Sequence, residues 1–201
     1  MVGRRRYLDN LQLVRSLREV SGDFVECGVW RGGMMAGMAE IDSSRRSRPR
    51  RYVLLDSFEG LPAPTEIDGE GAQQYASRTD APGYLDNCRA ERAEAQAAMD
   101  RLRRPVHHEI VPGWFERTVP LLASEQRPIA LLRLDCDWYD SVTTCLTHLE
   151  PLVVPGGLVV VDDYYAWDGC ARAVHEYLVE TGASGRIRQT AVGGVAYLRK
   201  G

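Results

Sequence analysis

Apolar positions along this chain fall into short runs rich in β-branched residues, separated by stretches in which they recur at helical spacing. Phe24 to Val29, Tyr52 to Asp56, Val106 to Val111, Ile129 to Asp135 and Leu158 to Asp163 predict strands. Most of these runs are nearly continuous, the pattern of a sheet covered on both faces. Between them, Gly32 to Ile41, Asp86 to Arg103, Tyr139 to Leu152 and Asp168 to Glu180 predict helices, and residues 1–22 a short helical arm. Strand alternating with helix implies an α/β fold with a parallel sheet.

Two stretches depart from that alternation. Arg186 to Val192 and Val195 to Arg199 read as strands linked only by Gly193 and Gly194, a tight antiparallel hairpin. A mostly parallel sheet ending in such a hairpin narrows the choice toward the methyltransferase variant of the Rossmann plan. Glu59 to Tyr84 carries Pro62, Pro64, Gly69, Gly71, Pro82 and Gly83 with little periodicity. It reads as a long loop, and its place after a strand's carboxyl end makes it a lid.

With 201 residues, 44% of them hydrophobic, the chain has the size and composition of a single domain spanning 1–201. A formal charge of -3 argues against a nucleic-acid binder. No run reaches the length of a membrane helix and no signal-peptide core is present, so the expected location is cytoplasmic. Arg45, Arg46, Arg48, Arg50 and Arg51 crowd between a helix and a strand, where a solvated loop is the expectation ahead of a phosphate site. Cys27, Cys88, Cys136, Cys145 and Cys170 show no metal or redox spacing and read as free, mostly buried thiols, and the four histidines read as structural.

The run Glu26-Cys27-Gly28-Val29-Trp30-Arg31-Gly32-Gly33 closes the first strand and opens a helix. A dinucleotide fingerprint counted from Gly28 would need glycine where Trp30 stands, so a pyrophosphate fits poorly. A looser E-x-G turn suits S-adenosylmethionine better, with a purely structural turn as the alternative. Asp56, ending the second strand, can accept from both ribose hydroxyls of a nucleoside without choosing between cofactors, and Gly113, Trp114 and Phe115 fall where an aromatic can lie near an adenine, with a core aromatic as the alternative.

Four acids, Asp135, Asp137, Asp162 and Asp163, end two apolar strands. Adjacent carboxyl ends of a parallel sheet lie side by side, so these carboxylates converge. They must then raise their pKa values, pair with arginines, or collect a hard cation such as Mg²⁺.

The runs GDFVECGVWRGG, LLDSFEGLP, VPGWFERTVP, LLRLDCDWYDS and PGGLVVVDDY followed by GCARAV, in this order, resemble the macrocin O-methyltransferase family from Leu8 to the C-terminus. The resemblance implies a class I S-adenosylmethionine-dependent methyltransferase fold and a Mg²⁺-dependent transfer to a (deoxy)sugar hydroxyl in natural-product biosynthesis. It assigns Asp135, Asp162 and Asp163 to the metal and Asp137 to the general base. Glu26, Gly28, Asp56, Ser57, Gly113, Trp114, Phe115 and Asp135 fall on cofactor positions. Cys136 departs from the glycine usual between the two acids. The chain before Asp23 is shorter than in longer relatives, which points to a homodimer or larger homo-oligomer completing the acceptor pocket. Tyr139, Tyr164, Tyr165 and Trp167 are candidates for an acceptor wall. Methylation of a catechol or other diol, and metal-independent methyl transfer, stay open, and a nicotinamide oxidoreductase or a non-catalytic sensor fits the residues less well.

Overall fold

The computed structural model describes residues 2–44, 50–79, 84–183 and 185–201. Its strands are β1 (Asp23–Cys27), β2 (Arg51–Asp56), β3 (His107–Pro112), β4 (Ile129–Leu134), β5 (Val153–Val161), β6 (Arg188–Gln189) and β7 (Ala196–Arg199). The α-helices are α1 (Arg4–Arg15), α2 (Gly33–Ser43), α3 (Gly69–Ser77), α4 (Arg92–Asp100), α5 (Phe115–Ser124), α6 (Tyr139–Leu149) and α7 (Asp168–Thr181). They form one sheet in the order β3-β2-β1-β4-β5-β7-β6. Strands β1 to β5 run parallel and β7 is antiparallel to β5 and β6, the predicted mixed sheet. Strand order reverses between β1 and β4, which opens a crevice at their carboxyl ends.

Alternate residues of each central strand feed opposite apolar layers. Phe24, Tyr52, Leu54 and Leu131 pack toward α1, α2 and α4, whereas Val25, Val53, Leu55 and Leu132 pack toward α5, α6 and α7. All are fully buried or nearly so, which is why the runs read as continuous. Four of the five cysteines are buried and all are free. No helix among the described residues is long and apolar enough to cross a membrane.

Several elements differ from expectation. Helix α5 was hidden by Pro120, yet Val119, Leu122 and Ala123 give it a buried stripe. The segment read as a structureless lid contains a 3-10 turn at Glu66–Asp68 and then α3, whose one buried residue, Ala72, left almost no periodic signal. Helix α4 starts six residues later than predicted, because Asp86, Asn87 and Cys88 take left-handed backbone angles. Arg50 and Arg51 are not in a solvated loop. Arg50 is buried, 3.0 Å from Asp42 and stacked 4.1 Å from the Phe24 ring, and Arg51 pairs with Asp23 at 3.0 Å. Arg45, Arg46 and Arg48 lie outside the described residues.

The terminal hairpin is also looser than two glycines suggest. Thr190 N–H bonds the Val195 carbonyl, so four residues turn the chain. Gly193 serves a different need: its N–H donates to Asp9 Oδ2 of α1 at 2.6 Å, and a Cβ there would sit 2.6 Å from Arg6 Cα. Backbone pressed on backbone cannot yield, so Gly193→Ala should destabilise the fold by roughly 1–3 kcal/mol. Gly33→Ala, at the first turn of α2 with nothing within 4 Å of the new methyl, should be neutral or slightly stabilising. Urea melts of the two variants check the contrast.

Candidate active site

At the crevice, β1 leaves the sheet through Gly28, whose φ is +86°. A Cβ on Gly28 would lie 1.8 Å from the Asp135 carbonyl oxygen, so glycine lets the ends of β1 and β4 touch. The turn that follows is held by Asp56 at the end of β2. Its Oδ2 accepts from Val29 N–H at 2.7 Å and Trp30 N–H at 2.8 Å, and its Oδ1 from Phe58 N–H at 2.7 Å. These bonds sustain left-handed angles at Trp30 and Phe58. A carboxylate offers about four acceptor positions, so about one remains for a ligand, fewer than the pair expected for a ribose diol. The Ser57 hydroxyl bridges within its own turn, donating to Gly60 and accepting from Glu59.

Sequence reading missed Arg133. It is the next-to-last residue of β4, opposite Glu26 in register, and is fully buried. Its Nη1 donates to Glu26 Oε1 at 2.7 Å and to Asp135 Oδ2 at 2.9 Å, and its Nε to Asn10 Oδ1 of α1 at 3.3 Å. Nη2 lies 2.9 Å from Asp162 Oδ1, close enough for ion pairing but outside hydrogen-bond geometry, which leaves both atoms without a hydrogen-bond partner. Glu26 Oε2 is likewise buried and unpartnered. Arg6 of α1 reaches Asp162 Oδ2 at 3.4 Å. The signal was present in the sequence: an arginine inside an otherwise apolar central strand must find buried acids.

Glu26, Asp135, Asp162, Asp163 and Asp137 thus surround two guanidiniums and remain in excess of them. Burial raises Glu26 to about 8, a rise that Arg133 opposes and Asp135 and Asp162 reinforce. Asp137 is raised to about 7 by burial and by the charge of Asp135, against a hydrogen bond from the Trp167 indole. Asp163 is held well above the carboxylate range by burial and its acidic neighbours, and Asp135 is raised by burial despite Arg133. One oxygen from each of Asp135, Asp162 and Asp163 lies within 4.8 Å of the others. An oxygen-only set with surplus negative charge suits a hard divalent cation, and the unpartnered Glu26 Oε2 suits an ammonium. These residues therefore fit the Mg²⁺ and the S-adenosylmethionine that the motifs imply.

These groups open into a cavity of about 1000 Å³, at the upper end for small-molecule sites. Gly28, Asp56, Ser57, Trp114 and Phe115 line it, while Gly113 does not. Tyr139, Tyr164, Tyr165 and Trp167 do not line it, and the aromatic wall comes from Trp138, Trp30 and Tyr7 instead. Tyr139 turns away to Glu176, and Tyr164 to His175. The segment before and within the 3-10 turn supplies Leu61, Pro62, Thr65 and Asp68. It is fastened to the strand ends: Trp138 Nε1–H donates to the Pro62 carbonyl at 2.9 Å, and Asp68 Oδ1 accepts from Tyr139 N–H at 2.7 Å. Asp68 caps α6 from a distance, a role no local cap residue fills.

A profile of the macrocin-O-methyltransferase (TylF) family matches residues 1–200. The chain is 36% identical over 196 residues to the 8-demethyl-8-(2,3-dimethoxy-alpha-L-rhamnosyl)-tetracenomycin-C 4'-O-methyltransferase of Streptomyces olivaceus, covering 94% of this chain and 71% of that protein. It is 35% identical over 207 residues to the mycinamicin III 3''-O-methyltransferase of Micromonospora griseorubida, covering 99% and 78%. Among solved structures, that of the O-methyltransferase NovP superposes with a TM-score of 0.78 at 30% identity, over 98% of this chain and 80% of that one. The sheet is accordingly the class I methyltransferase sheet, and the chain belongs to the macrocin O-methyltransferase family of S-adenosylmethionine-dependent enzymes.

Proposed function

We propose that the protein methylates a sugar hydroxyl of a glycosylated natural product, with Mg²⁺ held by Asp135, Asp162 and Asp163 and with Asp137 as general base. The observation that carries this reading is the convergence of one oxygen from each of the three aspartates within 4.8 Å, beside the carboxylate of Asp137 on the same cavity. The sugar class is supported by the relatives, one of which is named for a rhamnosyl tetracenomycin.

When bound, S-adenosylmethionine supplies an activated methyl group, and Mg²⁺ supplies a Lewis acid that lowers a hydroxyl pKa. The residues of the chain do the rest. Glu26 Oε2 would receive the ammonium of the cofactor's amino-acid portion. The remaining acceptor position of Asp56 would take one ribose hydroxyl, and Trp114 and Phe115 would hold the adenine. Asp137 takes the acceptor's proton as the new oxygen–carbon bond forms and the sulfur–carbon bond breaks, then returns it to solvent. In the ligand-free protein, burial and the charge of Asp135 push Asp137 up to about 7, toward the range a base needs at neutral pH.

Glu26 is raised to about 8 in the ligand-free protein, so it is mostly protonated at pH 7, and an ammonium placed on it should expel that proton. Calorimetry of S-adenosylhomocysteine at pH 7, in buffers of different ionisation enthalpy, should show release of close to one proton. Glu26→Gln should abolish the release and weaken binding. Asp162→Asn should lose Mg²⁺ binding while keeping most affinity for S-adenosylhomocysteine, and turnover that survives excess chelator would overturn the metal assignment. Asp137→Asn should bind both ligands normally and lose roughly 10²-fold or more in kcat, measured against a panel of glycosides beginning with methyl α-L-rhamnoside.

A further inference from the structure

Asp137 occupies an unusual place for a base. It lies in the short link between β4 and α6, at a left-handed φ of +56° that aspartate tolerates better than most residues. Among the described residues, a single donor reaches its carboxylate: the Trp167 indole N–H, 2.8 Å from Oδ1. That bond leaves Oδ2 for the substrate.

Trp167 is itself fixed from three sides. Its backbone N–H donates to the Asp163 carbonyl at 3.1 Å just before α7 begins. Its ring meets Trp138 edge-on with centroids 5.1 Å apart, and Tyr75 of α3 at 5.8 Å. A Cβ on Gly71 of α3 would lie 3.7 Å from the indole, so the α3 backbone rests on the ring. Trp167 is not among the residues that line the cavity. Its neighbours on the other side of Asp137 are tied to the same segment, Trp138 to Pro62 and Tyr139 to Asp68.

We propose that Trp167 is a positioning residue for the methyl-transfer reaction, aiming the Asp137 carboxylate through its indole N–H, with α3 as the brace that holds the indole. This inference rests on Asp137 as the base. An orienting hydrogen bond acts on the step in which the proton moves and leaves ligand affinity alone, which separates it from a packing role.

The test has two parts. In protein labelled with ¹⁵N-tryptophan, the Trp167 indole N–H should be protected from hydrogen exchange and should exchange markedly faster in Asp137→Gly, a substitution that suits the left-handed backbone and removes the acceptor. An indole N–H that exchanges freely in the wild type, or is unaffected by Asp137→Gly, overturns the proposal and does not require a Trp167 variant to fold. For turnover of a glycoside that the wild type methylates, Trp167→Phe should lower kcat about tenfold, with acceptor KM and the affinities for S-adenosylhomocysteine and Mg²⁺ unchanged. In an Asp137→Asn background the same substitution should have no further effect. An equal loss in both backgrounds assigns Trp167 to packing alone and overturns the proposal. Unchanged turnover in Asp137→Asn alone removes the base itself and the inference with it, whereas a damaged Asp137→Asn beside an unaffected Trp167→Phe removes only the inference.

Discussion

Five carboxylates gathered at the ends of three adjacent strands would repel one another strongly without compensation, and the fold answers that repulsion with one fully buried guanidinium. Arg133 meets Glu26 and Asp135 through Nη1 and Asp162 through Nη2. Removing either partner of a buried pair leaves a stranded charge that costs several kcal/mol, so the acids and the arginine can exist there only together. Because guanidinium is planar and offers five donors, it can serve three acids and Asn10 at once, which a lysine could not. The same contact docks the amino-terminal helix: Asn10 is fully buried and bonds Arg133, while Arg6, one turn earlier, leans on Asp162. Electrostatic compensation and the seating of α1 are thus one event.

The compensation is deliberately incomplete in the sense that matters for chemistry. Glu26 Oε2 and Asp162 Oδ1 keep no hydrogen bond, and the pKa values of Glu26, Asp137 and Asp163 are all driven upward. Buried polar atoms without partners are rare in folded proteins, and the two residues that carry these atoms line the cavity. Desolvation that is unfavourable in the free protein becomes binding specificity for positively charged ligands.

Much of this was readable from the chain. The near-continuous apolar runs of β1, β2, β4 and β5 reflect burial on both faces, and acids placed just past Leu134 and Val161 had to meet at the switch point because parallel strands end together. What could not be read was set by partners distant in sequence. Arg133 was one polar letter in an apolar word until Glu26 was paired with it in register. The cap of α6 is Asp68, 71 residues earlier, so no local signature announced it. Helix α3 buries so little that its order comes from Trp138, Trp167 and Asp168 rather than from its own pattern. Tyrosines expected to face the acceptor turn instead to Glu176 and His175, because residues flanking a strand end have several directions open to them and only packing selects one.

The bond between Asp9 and Gly193 spans 184 residues. Helix α1 contributes Arg6 and Tyr7 to the cavity, yet its seat against this turn does not exist until the chain through Gly193 has been made. On a ribosome α1 emerges well before this contact can form, since long-range closure must wait for the residues it joins. The order of synthesis therefore completes the wall that α1 lends to the cavity only after the turn between β6 and β7 has been made.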